Sequence, residues 1–277
     1  MKLSLWLALV LAVPVFAGVR IQLESPNSIT GEVTKGEILL DGDRLRINET
    51  GKDTNNSTLF LTDGGRNRIV TLNKTKNEYE EMDQQTMNQM MPLMQAQAQA
   101  QMAQTQAQMA QLQAQMKNMP PEQRAAMEKM MAQMKGLGTP AAPAPLVFTA
   151  KGRGSANGFA CTKYEGNRGA EKVYEVCAAS PSDLKFAASD FQVYEKMKEF
   201  MAGLLGKMSP LMGAGYAAAL NTLGFPGFPV QEIKFNNGTA GARTDAKTIE
   251  RATFSNANFS LGSAKKVDPL QELRGKQ

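Results

Sequence analysis

Residues 36–49 read GEILLDGDRLRINE, two runs of alternating apolar and polar residues on either side of an Asp-Gly pair. Asp-Gly suits a two-residue turn between antiparallel strands, so the stretch predicts a β-hairpin that turns on Asp41-Gly42. In that register Ile38 faces Leu45, and Leu39 is the apolar exception on an otherwise charged face. The apolar face consists of Ile38, Leu40, Leu45 and Ile47. This alternation predicts an antiparallel sheet with one buried side and one wet side.

Similar strand patterns and turn signals continue on both sides of this hairpin, and a segment rich in Gln, Met and Ala interrupts them. We therefore predict an α+β fold, in which a curved antiparallel sheet or open half-barrel carries an inserted Met/Gln-rich helical hairpin. The predicted organisation is a signal peptide at 1–17, a single β-rich domain formed by 18–83 and 146–264, an inserted helical arm at 84–135, a Pro/Ala/Gly linker at 136–145, and a flexible tail at 265–277.

The inserted arm has the composition of a helix, because methionine, glutamine and alanine are all good helix formers. Its methionines at 102, 109 and 116 recur at heptad spacing, which indicates a thin coiled-coil seam. Pro120-Pro121 ends this first helix, and a second helix then follows with methionines on one face. An arm that frays in solution is the alternative, since the seam also contains polar residues.

The N-terminus resembles a secretory signal, with Lys2, an apolar run at 3–15 and a small-residue site ending at Ala17. The run is shorter than the roughly 20 residues that span a bilayer, although an uncleaved anchor is the alternative. We predict cleavage after Ala17 and a periplasmic location. Lipidation is not predicted, because the next residue is Gly18 and not cysteine.

Two cysteines, Cys161 and Cys177, lie in a chain predicted to be exported, which favours one disulfide. A hairpin centred on Gly169 places Tyr164 opposite Tyr174 and the two cysteines opposite each other, close enough to be bridged. A redox-active pair is the alternative, but the spacing is unlike that of the C-x-x-C motif. The pair is therefore predicted to be structural.

The composition argues against several functions. The chain has no histidine, which excludes Ser-His-Asp and Cys-His catalysis and removes the commonest metal ligand. Its 31 Lys and Arg and 26 Asp and Glu are interspersed, so no concentrated basic face for nucleic acid is expected. The neighbouring acids Glu80, Glu81 and Asp83 are interpreted as solvated surface groups. We predict no enzymatic activity and no cofactor.

The methionines are the informative excess, since 13 of the 18 lie between Met82 and Met134. Three interpretations compete. Methionine is a flexible hydrophobe that packs into irregular cores. The same flexibility suits a surface that grips a ligand or several partners. Thioethers are also soft ligands for Cu(I), and the M-x-x-M spacings place sulfur atoms on one helix face.

The order of motifs resembles a family of exported bacterial proteins that carries a domain-of-unknown-function label. The similar stretches are GEILLDGDRLRI, LTDGG followed by RIVTLNKTKNEYEEM, GFACTKYEG followed by EKVYEVCAA, and GFPV. That family looks related to the lipoprotein-carrier (LolA-like) superfamily. The resemblance implies an open half-barrel around a helical plug and an acyl chain or other apolar ligand in the concave face. Fold alone does not establish function.

The predicted function is that of a non-enzymatic periplasmic binding or carrier-like envelope protein. Its concave sheet and Met-rich helices would contact a hydrophobic ligand, such as a lipid or acyl chain, or a protein partner. The arrangement also allows peripheral membrane contact and oligomerisation through the arm. Alternatives are a Cu(I)-binding protein and a structural oligomerising arm. The predicted apolar contact surface consists of Met87, Met91, Met94, Met127, Met130, Met131 and Met134.

Overall fold

A computed structural model describes residues 18–26, 30–52, 54–116, 120, 144–212 and 224–274. The predicted signal peptide, the second helix of the arm and most of the linker lie outside these residues. The strands are β1 Gly18–Pro26, β2 Val33–Asp41, β3 Arg44–Thr50, β4 Asn55–Asp63, β5 Arg66–Asn73, β6 Glu78–Asp83, β7 Leu146–Ala156, β8 Phe159–Arg168, β9 Glu171–Ala179, β10 Phe228–Asn236, β11 Thr239–Ala252 and β12 Lys265–Lys266. The helices are α1 Gln84–Met116, α2 Gln192–Met212 and α3 Pro269–Arg274, with 3-10 turns at Ala188–Phe191 and Asn256–Phe259.

The strands form one open sheet in the order β12-β6-β5-β4-β3-β2-β1-β11-β10-β9-β8-β7. The pairs are antiparallel except for β12 with β6, which is parallel. The strands before and after the arm meet where β1 pairs with β11, so that Gly18 lies opposite Ala252. The predicted α+β fold with an antiparallel sheet is confirmed in this form. The helical hairpin is not, because only its first helix is among the described residues.

The hairpin of residues 36–49 forms, but its predicted register is wrong by two residues. Asp41 pairs with Arg44, so the turn lies on Gly42-Asp43 and Ile38 faces Ile47. Gly42 has a φ of +60°, which the first central position of a type II′ turn requires and which glycine adopts without steric cost. A shift of two residues leaves each side chain on its predicted face.

The cysteine hairpin also forms with a corrected register. Cys161 and Cys177 are joined by a disulfide with a Cα–Cα distance of 5.5 Å, as predicted. However, Cys177 pairs with Lys163, and Tyr164 pairs with Val176 and not with Tyr174. The shift arises because the turn lies between Arg168 and Glu171 and because β8 and β9 change register by one residue beside it.

Helix α2 covers the apolar face of the sheet. Its side chains join residues from both β regions in one buried cluster, in which Val193 is 1% exposed. The ring of Tyr194 lies 5.2 Å from that of Phe228, and Phe200 lies 5.8 Å from Phe60. The apolar side of α2 therefore forms the centre of the core.

A C-terminal strap, residues 253–274, starts on the opposite face of the sheet and continues to the edge strand β6. The guanidinium of Arg44 stacks over Phe259 at 4.5 Å, and Arg46 donates to the carbonyl oxygens of Asn258 and Ser260. By strand alternation Leu39 lies on this face, and it is 3% exposed. Leu39 is therefore buried on the face where the strap lies, which explains the apolar exception in the hairpin.

The end of the strap occupies the region predicted to be a flexible tail. Lys265 and Val267 donate backbone hydrogen bonds to the carbonyl oxygens of Asn77 and Tyr79, which forms β12 beside β6. Helix α3 then contacts α1, and its Leu270 is 5% exposed. Residues 265–274 are therefore part of the folded body, because their backbone pairs with the edge of the sheet.

Candidate functional site

The candidate contact surface begins where β6 runs directly into α1. Asp83 ends the strand, and its Oδ1 accepts a hydrogen bond from the backbone N–H of Thr86 at 2.7 Å. This is an N-cap, which satisfies one of the free N–H groups of the first turn. The Thr86 N–H holds the pKa of the Asp83 carboxyl below its usual value. Of the three acids interpreted as solvated surface groups, Asp83 thus caps α1, and Glu81 is paired with Arg68 and Lys266.

The first methionines of α1 divide between the core and the surface. Met87 is 2% exposed and belongs to the cluster beneath α2, and Met91 packs against the same cluster. Met90 and Met94 are half-buried. Helical spacing places Met87, Met91 and Met94 along one side of the helix root, and of these Met87 and Met91 attach α1 to the body. Met87 is buried within the protein's own core and therefore cannot contact a ligand.

The second methionine set at 127, 130, 131 and 134 lies outside the described residues, so its predicted role stays a prediction. The same holds for the Cu(I) alternative, which relied on both sets. Among the side chains that the structure describes, no group of three or more His, Cys, Asp or Glu residues is placed to hold a metal ion.

Beyond Met94 the arm leaves the body. The described side chains from Gln99 to Gln111 are exposed, with Met109 half-buried as the one partial exception in that stretch. No charged residue occurs between Gln84 and Met116. An uncharged helical surface of this length is unusual for a protein, because exposed helix faces normally carry charges.

Pro92 is a feature of α1 to which the sequence analysis gives no role. It lies inside the helix, where it supplies no N–H to the carbonyl four residues earlier. It lies between Met91 and Met94, within the helix root. A proline inside an otherwise helical pattern predicts that the helix ends or kinks there, whereas α1 continues to Met116.

The concavity predicted to hold an apolar ligand is filled by the protein itself. The buried cluster on that face contains Ile21, Leu40 and Phe60 from the sheet together with Phe191 and Val193 from the helical layer. These side chains are between 0% and 3% exposed. Within the described parts of the chain, the space for an acyl chain is therefore taken by α2 and the root of α1.

Grooves occur elsewhere, and sequence reasoning missed them. The one that we call the outer groove has a volume of about 400 Å³ and lies across β1, β2, β3 and β11. Its lining is Gln22, Leu23, Glu24, Lys35, Gly36, Glu37, Asn48, Thr50, Lys74 and Lys247.

None of the helices in the described ranges is both long enough and apolar enough to cross a bilayer.

The chain matches no protein-family model and no curated protein. Among solved structures, it is similar to an uncharacterized conserved protein from Thermus thermophilus, with 7% identity, 91% of each chain covered and a TM-score of 0.43. It is also similar to PNGF-II, with 10% identity and a TM-score of 0.40, over 93% of this chain and 32% of that one. Likenesses at this level assign neither family nor activity, and the LolA-like resemblance stays a prediction.

Proposed function

We propose that this is a non-enzymatic periplasmic binding protein that presents α1 as an arm to a protein partner in the cell envelope. The observation that carries the proposal is the contrast along α1. Met87 holds the helix root in the core, whereas the described side chains further along are exposed and uncharged. A rigid attachment followed by a neutral helical surface suits recognition by another helix or groove.

The filled concavity favours a protein partner over an acyl chain. A carrier needs a concave apolar space, and α2 occupies that space here. The disulfide between Cys161 and Cys177 supports the periplasmic location, because such bonds persist in oxidising compartments. The arm itself lacks charges, so its partner surface is expected to be neutral and rich in flexible apolar groups.

Photo-crosslinking in living cells tests this proposal. A photoreactive phenylalanine analogue replaces Gln104 or Gln108, both exposed on the arm, and Lys185 serves as the control position on the body. We expect one defined heteromeric adduct from the arm positions and none from position 185. An adduct of twice the monomer mass would support the alternative of an oligomerising arm. If neither arm position gives an adduct, the proposal is wrong.

A further inference from the structure

The outer groove lies on the sheet face opposite α2, beside the strap. Its floor and walls come from neighbouring strands whose outward residues align in register: Gln22 pairs with Glu37, and Glu37 pairs with Asn48. Lys74, from the turn after β5, closes one end. Apart from Lys74, the lining residues belong to paired strands of the sheet and not to loops, which favours a preformed binding geometry.

The two carboxylates of the groove are already engaged. Glu37 lies 3.3 Å from the Arg20 guanidinium and accepts a hydrogen bond from the Asn48 side-chain amide at 3.0 Å. Glu24 pairs with Lys247 at 3.4 Å. Glu37 and Glu24 therefore each have a cation partner other than Lys35 and Lys74, although Glu37 also attracts Lys74.

Lys74 has an incomplete set of partners. Its ammonium donates to Asn48 Oδ1 at 3.3 Å, but that oxygen also accepts from Arg46 Nε at 3.0 Å and from the Ser57 hydroxyl at 2.5 Å. A carbonyl oxygen has two lone pairs. Of the three donors to Asn48 Oδ1, Lys74 lies at the longest distance and is therefore bound most weakly. An ammonium has three protons, and Asn48 Oδ1 is the one hydrogen-bond acceptor of Lys74 among the described residues, so Lys74 can still donate into the groove.

Lys35 is exposed on the groove wall and, among the described residues, forms no ion pair. The local electrostatics agree with an excess of positive charge. Partial burial and then the neighbouring Arg46 charge lower the pKa of Lys74, although Glu37 opposes them. An anion bound in the groove would compensate for the solvation that Lys74 loses and would reduce the repulsion between Lys74 and Arg46.

The neutral part of the lining defines the rest of the ligand. Gln22 and Thr50 offer an amide and a hydroxyl, which can donate to and accept from hydroxyl groups. The lining contains no aromatic side chain and only one sizeable apolar one, Leu23. A volume near 400 Å³ suits a small polar molecule.

We propose that the outer groove binds a small hydroxylated anion, such as an acidic sugar, and that Lys74 and Lys35 hold its phosphate or carboxylate group. Gln22 and Thr50 contact its hydroxyl groups. This site is separate from the arm, so a test of anion binding does not depend on whether the proposed protein partner exists.

Nuclear magnetic resonance titration of the full, isotopically labelled chain tests the inference. The probes are glucose 6-phosphate, glucuronate, inorganic phosphate and uncharged glucose. We expect saturable amide shifts confined to residues around 22–24, 35–37, 48–50 and 74 with at least one acidic sugar, and none with glucose. The two acidic sugars distinguish a phosphate from a carboxylate as the recognised group.

Variants locate the site. Lys74→Gln combined with Lys35→Gln is expected to weaken binding by at least about tenfold, because charge-assisted hydrogen bonds are lost. Lys76→Gln is the matched control, since Lys76 lies in the same turn but does not line the groove. Absence of saturable shifts with both acidic sugars overturns the inference, as does unchanged affinity in the double variant. Equal affinity for inorganic phosphate and the sugars would overturn the assignment of Gln22 and Thr50.

Discussion

Cys161 and Cys177 are bonded although they do not face each other across the hairpin. Cys177 lies opposite Lys163, and the disulfide joins residues two positions apart in register, with their Cα atoms 5.5 Å apart. Both cysteines are buried in the cluster that α2 covers. The bond therefore fixes the alignment of β8 with β9 and also fills core volume.

Removal of this disulfide should lower the free energy of unfolding by about 3 kcal/mol, because the bond closes a loop of 16 residues in the unfolded chain. The test is urea denaturation of Cys161→Ala combined with Cys177→Ala. Reduced wild-type protein is the control, and it should lose a similar amount. A loss of less than about 1 kcal/mol in both samples would show that the unfolded chain is not constrained by the bond.

Met87→Ala should destabilise the protein by about 2–5 kcal/mol, since a fully buried methionine leaves a cavity when truncated. Met94→Ala is the control, because Met94 is half-buried on the same helix and should cost about 1 kcal/mol or less. Alanine preserves helix propensity at both positions. Equal losses in chemical denaturation would mean that Met87 does not anchor the arm.

Gly227 and Gly203 should respond in opposite ways to alanine. Gly227 has a φ of +87°, and a Cβ there would lie 2.6 Å from the carbonyl oxygen of Ala179, so Gly227→Ala should destabilise by more than about 1 kcal/mol. Gly203 lies in α2 with nothing within 4 Å of its would-be Cβ. Gly203→Ala should therefore stabilise by about 0.5–1 kcal/mol. Thermal unfolding of the two variants distinguishes these signs, and a shift in the same direction would refute the comparison.

Acid should loosen the strap. Glu81 lies 2.6 Å from the Lys266 ammonium and 2.9 Å from Arg68, and the hydrogen bond from Lys266 is the main cause that lowers the pKa of Glu81. A lowered carboxyl pKa contributes stability that is complete above the ordinary value of about 4.3 and is lost as the pH falls below it. Lys266 is half exposed, so the contribution should be about 1 kcal/mol or less.

Hydrogen exchange at the Lys265 and Val267 amides measures this effect, because those N–H groups hold β12 to β6. Glu81→Gln should speed their exchange at pH 6 and make little difference at pH 3. Glu80→Gln is the control on the exposed neighbour, which has no such pairing among the described residues. Faster exchange in the Glu81 variant at pH 3 but not at pH 6 would contradict the assigned sign.

Much of the sheet could be predicted because its turns contain residue types that favour tight turns. Gly64 and Gly65, and likewise Asn237 and Gly238, all have positive φ values in two-residue turns, as their residue types indicate. The registers of the strand pairs were harder to predict. The shift beside Asn167 depends on how β8 and β9 pack, and local composition contains no signal for it.

The strap and the helix root could not be predicted from local patterns. Arg46 is bound to carbonyl groups of Asn258 and Ser260, more than two hundred residues away, so no window of sequence contains the interaction. The methionine stripe predicts an apolar contact without identifying what is contacted. Whether Met87 contacts a partner or the protein's own core depends on where α2 lies, which the stripe itself does not encode.

The pairing of β1 with β11 also bears on how the chain acquires its structure. The first strand of the described residues pairs with a strand that is made more than two hundred residues later, as Gly18 lies opposite Ala252. Pairings so remote in sequence raise the contact order and slow folding, because a long loop must close before the contact repays its entropy. Until then β1 offers an unpaired edge to other chains. We expect the nascent protein to depend on protection from aggregation until its last long strand arrives.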